Sequence, residues 1–220
     1  MASASRSRLR CRWRHTISKV APDGTVSSLA SWPAGSANAL APGFMTVGRD
    51  QALYFVDLFT GNLVKWTAAN GPVVLANVSI GPAGHLFSLS PWLIAADATG
   101  TVYVVKGGVV QKVQNGLLVT VAGQAGQFGT ADGPGAQARF TAPQSAVTDA
   151  AGNLYIADGE VVRRMTPEGV VTTAVGQRGR FGLRTGALPG SLGSVGWMAV
   201  GPAGVLHLVS DNALVKVRFQ

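Results

Sequence analysis

The stretch Gln144 to Val175, QSAVTDAAGNLYIADGEVVRRMTPEGVVTTAV, decides the fold. It holds four short runs rich in β-branched and apolar residues: Gln144 to Thr148, Leu154 to Ala157, Val161 to Met165 and Val170 to Ala174. Turn-forming residues separate them, Glu168-Gly169 most plainly, so each run reads as a strand and neighbours in sequence pair antiparallel. The unit is a four-stranded meander.

The unit recurs. The runs ALYFVD (52–57), TVYVVK (101–106), NLYIAD (153–158) and VLHLVS (205–210) superpose Tyr54, Tyr103, Tyr155 and His207, at spacings of 49, 52 and 52. All three tyrosines fall in that column. A second column, from TISKV, NLVKW, VVQKV, VVRRM and ALVKV, superposes Lys19, Lys65, Lys112, Arg164 and Lys216. After each of the first four comes a turn with glycine (Asp23-Gly24, Asn70-Gly71, Asn115-Gly116, Glu168-Gly169) and another β-rich run. Such dipeptides supply the positive φ of tight hairpins. A four-stranded meander repeated every 50 residues or so buries its faces by stacking on its neighbours around an axis, which is a β-propeller.

Composition agrees. Of 220 residues, 47% are hydrophobic and only 13% charged, with 29 glycines and 11 prolines, which excludes a coiled coil or a charged disordered chain. Residues 66 to 96 carry no charge, but Gly71, Pro72, Gly81, Pro82, Gly84 and Pro91 interrupt them, so they do not read as a membrane span. The net charge of +8 overstates the body of the protein. Arg6, Arg8, Arg10, Arg12 and Arg14 crowd a start without acids, and from residue 15 onward the balance is +3. Residues 1–15 are therefore expected to form a basic disordered tail and residues 16–220 a propeller domain, with no secretory signal in the tail and no compartment assigned. The lone cysteine, Cys11, permits no internal disulfide.

The stretch from about 126 to 176 resembles an NHL repeat, whose pattern runs from ADG, through Ala and Phe before a Pro, to GNLYVAD, a basic strand, a P-x-G turn and a VxTxAG strand. Asp132, Gly133, Phe140, Pro143, Gly152, Tyr155, Asp158, Arg164 and Gly169 carry the match. The other copies are degenerate, with Lys106 in place of the aspartate and no ADG before residues 42, 91 or 196. The resemblance implies an all-β, NHL-type β-propeller with about four blades of four antiparallel strands in this chain. Three units are complete (about 42–78, 91–123 and 143–176), the start supplies two strands (16–30) and the end three (196–219). Two arrangements follow: the strand from Thr25 to Ala30 closes the last blade of a four-bladed ring, or the chain belongs to a larger, six-bladed one. The segment 79–87 also resembles 199–207 and is a candidate strand pair of its own.

Catalytic chemistry is sparse. Propellers that act as lactonase-like hydrolases or amidating lyases gather three or four metal ligands near the axis, whereas His15, His85 and His207 occupy three different positions of the repeat. Asp57 and Asp158 end second strands, where a carboxylate accepts turn N–H groups, and Asp132 lacks the flanking oxygen ligands of a calcium loop. The basic column reads as a solvated face that protects the third strand. No catalytic residue, metal or cofactor is expected. The candidate ligand-binding residues are Arg178, Arg180, Phe181 and Arg184 in the loop QRGRFGLR, with Arg139 in the equivalent preceding loop; arginines around an exposed aromatic suit phosphate contact and base stacking. The expected role is a non-catalytic binding or interaction module that takes a protein or small ligand at its inter-blade loops. A metal-assisted hydrolase or lyase and a weak RNA binder are the alternatives.

Overall fold

The computed structural model describes residues 14–33, 40–78, 93–201 and 204–219. Residues 1–13 of the basic tail, Cys11 among them, and the segment 79–87 with His85 lie outside the described residues, whereas Arg14 and His15 begin the first strand. Three complete four-stranded meanders appear where the repeat predicts them. Blade 1 comprises β3 (Pro42–Val47), β4 (Leu53–Asp57), β5 (Asn62–Thr67) and β6 (Gly71–Asn77). Blade 2 comprises β7 (Leu93–Ala96), β8 (Val102–Lys106), β9 (Val109–Gln114) and β10 (Leu117–Gly123). Blade 3 holds β12 (Pro143–Thr148), β13 (Leu154–Asp158), β14 (Val161–Met165) and β15 (Val170–Val175), with the two-residue β11 (Gly133–Pro134) added beside β15. Blade 4 has three strands, β16 (Val195–Val200), β17 (Leu206–Ser210) and β18 (Ala213–Val217). The chain is thus an all-β propeller of four blades, and the sole helix among the described residues is a 3₁₀ turn at Gly135–Gln137. No described helix is long and apolar enough to cross a membrane.

Stacking explains the sequence pattern. Along β4, Tyr54 and Val56 pack with Ile94, Ala96, Val102 and Val104 of blade 2. The intervening Leu53 and Phe55 pack the other way, with Ile17 and Trp32. In blade 2, Tyr103 and Val105 face Leu154 and Ile156 of blade 3, and in blade 3 Tyr155 and Ala157 face Leu206 and Leu208 of blade 4. A second strand buried on both faces reads as a continuous apolar run, as β4 and β13 do. In β17 the burial alternates, because no described blade covers its second face.

The two repeat columns turn out to be one feature. Tyr54 lies directly across from Lys65, Tyr103 from Lys112, Tyr155 from Arg164 and His207 from Lys216. The turn at Asn115-Gly116 has positive φ at both residues (50° and 78°), as a two-residue hairpin of this twist requires.

The N-terminal strands depart from the expected closure. β1 (Arg14–Val20) and β2 (Val26–Pro33) pair only with each other, and their hairpin covers the Leu53 and Phe55 face of blade 1. β2 does not become the fourth strand of blade 4, so the outer edge of β18 has no strand beside it among the described residues. Local pairing across the Asp23-Gly24 turn orders few residues, whereas the closing pair joins strands nearly 190 residues apart.

Candidate functional site

The first strands β3, β7, β12 and β16 line the propeller axis. Three of them carry β-bulges at corresponding places, between Gly43 and Thr46, Pro143 and Ser145, and Val195 and Met198. A bulge breaks the alternation of a strand and turns consecutive side chains to one side. Phe44 takes a left-handed φ of 45° there, rare for an aromatic residue and a form of strain that collects at ligand sites. The result is a cavity of about 580 Å³. Phe44, Met45 and Thr46 from β3, Leu93 and Ile94 from β7, Gln144 to Val147 from β12 and Gly196 to Met198 from β16 line it. Trp197 is 75% exposed and Met45 50%, a high exposure for apolar side chains turned toward a cavity. A smaller cavity of about 260 Å³ shares Thr46, Ala146, Val147 and Met198 and adds Arg49.

Inter-blade hydrogen bonds fix these walls. The Met198 amide donates to Ser145 Oγ at 3.1 Å, and Thr148 Oγ1 donates to the Ala96 carbonyl at 2.9 Å. Among the described residues, the polar lining of the larger cavity is Thr46, Gln144 and Ser145, with no carboxylate, imidazole or thiol. No group of three His, Cys, Asp or Glu side chains among the described residues is placed to hold a metal ion.

Away from the axis, the two columns meet in blade 1 as an ion cluster, while Lys19 and Lys216 of the basic column are exposed, as a solvated face requires. Tyr54 Oη donates to Asp50 Oδ2 at 2.8 Å, and Lys65 Nζ meets the same oxygen at 2.8 Å. Burial alone would raise the Asp50 carboxyl, but hydrogen bonds from Lys65, Tyr54 and the Ala52 amide outweigh it and hold the group below the ordinary aspartate value. In blade 3, Tyr155 Oη donates to Asp149 Oδ2 at 3.2 Å. Burial, with the Asp149 charge beside it, pushes the Tyr155 phenol up to about 12. The folded state therefore holds this proton more tightly than the unfolded chain does. The resulting stabilisation is complete below pH 10 and is lost as pH rises toward 12. Replacing Tyr155 with Phe is expected to flatten the fall of stability across that window by up to one proton, about 1.4 kcal/mol per pH unit, measured by urea titration at a series of alkaline pH values.

The carboxylates that end the second strands have the structural role read from the sequence. Asp57 accepts from the Ala41 amide at 2.8 Å, and Asp158 from the Thr141 and Ala142 amides at 2.8 and 2.7 Å. Ser210 does the same work in blade 4, where its Oγ accepts from the Gly193 amide. Asp132 accepts from the Thr173 amide and from Arg163. The repeat column contains Arg164, opposite Tyr155, and not its neighbour Arg163, opposite Ile156. Strand alternation was the available signal: if Arg164 faces one way, its neighbour faces the core. Arg163 is fully buried; Nη1 donates to the Arg139 carbonyl and Asp158, Nη2 to the Ala131 carbonyl and Asp132, and the guanidinium carbon lies 5.3 Å from the Phe140 ring centroid. The NHL-like residues Asp132, Phe140 and Asp158 thus converge on one buried cation.

The loop candidates divide into two groups. Arg139 donates to the Ala136 and Ala138 carbonyls and to the side chains of Gln124 and Gln127, which ties its guanidinium to its own loop. Arg178 donates to Asp158 at 2.5 Å. Arg180, Phe181 and Arg184 are exposed, Phe181 to 80%. The Arg184 backbone pairs with Ser191, which draws the loop into a narrow hairpin.

No protein-family model and no curated protein matches the chain. Solved structures match its fold. A Bacteroides thetaiotaomicron protein of unknown function aligns at 20% identity with a TM-score of 0.71, over 92% of this chain and 53% of its own. An auxiliary nutrient binding protein from Bacteroides ovatus aligns at 20% identity and TM-score 0.62, over 89% of this chain and 51% of its own. A streptogramin B lyase aligns at 14% identity and TM-score 0.50, over 91% and 57% respectively. The chain spans about half the length of these structures.

Proposed function

We propose that this chain is an NHL-type propeller that works as a non-catalytic binding module and holds the apolar part of a ligand at the axial cavity. The observation that carries the reading is the bulged first strands, which turn Phe44, Met45 and Trp197 toward a 580 Å³ space whose polar groups are neutral hydrogen-bonding side chains. The shared role of Asp132, Phe140 and Asp158 around Arg163 supports the NHL assignment. Arg180, Phe181 and Arg184 are proposed as a second contact surface for a protein or nucleic-acid phosphate, with Arg139 and Arg178 shaping the adjoining loops.

A neutral apolar fluorophore, N-phenyl-1-naphthylamine, tests the axial site. Saturable binding with one site per chain is expected, weakened about tenfold by Trp197→Ala, as for a truncated aromatic anchor. Absence of saturable binding, or equal affinity for the variant, sinks the axial reading. The same variant should leave urea unfolding nearly unchanged, since a side chain as exposed as Trp197 contributes little to the core.

A further inference from the structure

Two inter-blade loops are built alike. GQAGQFG (123–129) leaves the fourth strand of blade 2, and GQRGRFG (176–182) leaves that of blade 3. Gly123 and Gly176 both take a left-handed φ, 80° and 85°, and pass so close to the carbonyls of Gly108 and Glu160 that any Cβ there would collide. In each loop a tight turn follows, closed by the Gln127 amide on the Gln124 carbonyl at 3.1 Å and by the Arg180 amide on the Gln177 carbonyl at 3.2 Å. The same backbone thus holds a phenylalanine out in water twice, Phe128 at 62% exposure and Phe181 at 80%. A core lies within reach, because Phe140, later in the first of these segments, is buried completely.

Strands alternate in direction within a blade, so the loops after second and fourth strands share one end of the propeller. Contacts between them agree. A Cβ on Gly108, in the β8–β9 turn, would lie 3.3 Å from the Phe128 ring, and Glu160, in the β13–β14 turn, accepts from the Gly179 amide at 3.1 Å. The β4–β5 turn brings the exposed Phe59 to this end, and the loop of Phe181 adds the exposed Leu183 and Leu188. None of the three phenylalanines lines either axial cavity. Charge is sorted as well. From Gly169 to Ser210 the chain has no aspartate or glutamate. Arg180 and Arg184 are exposed and make no ion pair with a described residue. The carboxylates at this end are taken up: Asp57 and Asp158 are buried, Asp132 holds Arg163, and Glu160 and Asp211 accept from the amides of Gly179 and Ser194. Asp50, Asp97 and Asp149, in turns after first strands, stand at the opposite end.

We propose that this end of the propeller docks on an anionic lipid surface: Phe59, Phe128 and Phe181 enter the boundary between head groups and acyl chains, and Arg180 and Arg184 meet lipid phosphates. Apolar side chains standing singly at the tips of separate loops suit a continuous apolar phase, which needs no groove to receive them. An arginine at such a boundary keeps its stem in the apolar layer and its guanidinium among the phosphates. Leu183 and Leu188 fit hydrocarbon in the same way and give a nucleic-acid base no face to stack on. The proposal rests on the exposed loop already read as a contact surface, widens it to three loops and commits it to lipid; the axial cavity plays no part.

The probe is the full chain with vesicles of phosphatidylcholine and phosphatidylserine at about two to one, and with vesicles of phosphatidylcholine alone. Co-sedimentation with the mixed vesicles is expected, at least about tenfold stronger than with phosphatidylcholine alone. The double variant Phe128→Ala, Phe181→Ala should lose at least about tenfold in partition to the mixed vesicles, whereas Phe128→Trp, Phe181→Trp should keep it. Arg180→Gln with Arg184→Gln should weaken it by about tenfold. In the unaltered chain the vesicles should add hydrogen-exchange protection at residues 124–129 and 177–184. Any of four results overturns the proposal. The mixed vesicles fail to sediment the chain. The alanine variant sediments as well as its parent, which leaves the arginines of the first 14 residues as the binding segment. Protection of the two loops comes with a single-stranded oligonucleotide and not with vesicles, which keeps the loop a contact surface but gives it to nucleic acid. Protection rises with protein concentration alone, which places a second copy there. The exchange measurement uses no variant, so it decides even if a substitution disturbs folding.

Discussion

Replacing Arg163 with leucine is expected to lower the melting temperature by about 10 °C or more, one of the two largest effects foreseen for this chain. The guanidinium is fully buried and holds Asp158, which is buried with it, as well as Asp132 and the carbonyls of Ala131 and Arg139. Removing one partner of a buried ion cluster leaves the others desolvated and unpaired, at a cost of about 3–5 kcal/mol. For a folded unit of this size each kcal/mol is roughly 2–4 °C. Arg178 still reaches Asp158 after the change, and Asp132 is 45% exposed and keeps the Thr173 amide, so the loss falls mainly on the two carbonyls and lies at the lower end of that range. Arg163→Lys should recover only part of the stability, because a single ammonium cannot serve four acceptors in a plane. Calorimetry of the two variants gives the answer. A melting temperature within 2 °C of the parent for Arg163→Leu would show that the cluster is not formed.

The second large effect concerns the β1–β2 hairpin. A chain beginning at Leu40 loses the cover over Leu53, Phe55 and Val64, each no more than 7% exposed. Full burial of side chains of this size is worth roughly 1.5–3 kcal/mol each, so the loss is on the order of 5 kcal/mol, with aggregation through the uncovered face. Phe55→Ala in the full chain is expected to cost about 3–5 kcal/mol. The same substitution in the shortened chain should cost much less, since Phe55 no longer sits in a closed core, and this non-additivity is the mark of direct packing. Equal costs in the two backgrounds, measured by urea unfolding, would detach the hairpin from blade 1.

Much of this architecture was legible in local patterns. The strands, their grouping into blades and the turns between them rest on a two-residue period and on glycine positions, which act within a few residues. The tyrosine and basic columns located the second and third strands of each blade well enough to place cross-strand partners opposite one another. The roles of Asp57 and Asp158 were readable as to type, a carboxylate at a strand end accepting backbone N–H groups, but apart from the Phe59 amide the donors, Ala41, Thr141 and Ala142, lie 16 or 17 residues away beside the first strand. Of the loop candidates, Arg180, Phe181 and Arg184 are exposed, while Arg139 and Arg178 turn out to brace loops.

The axial cavity was not legible, because bulges depend on how a first strand meets its neighbours around the axis. Phe44 and Trp197 look like ordinary strand residues until the ladder is seen to slip beside them. The solvated reading of the lysines fits the exposed Lys19 and Lys216 but not Lys65, whose partner Asp50 lies two residues further along its turn than Asp97 and Asp149 do and was not visible as a member of the column. Repeat period, strand positions and turn chemistry were thus determined by the sequence itself, since they arise from neighbours along the chain. The burial of Arg163 and the seat of the hairpin on blade 1 were decided only in the tertiary structure, where distant segments compete for the same faces and packing chooses among pairings that local preference leaves equal.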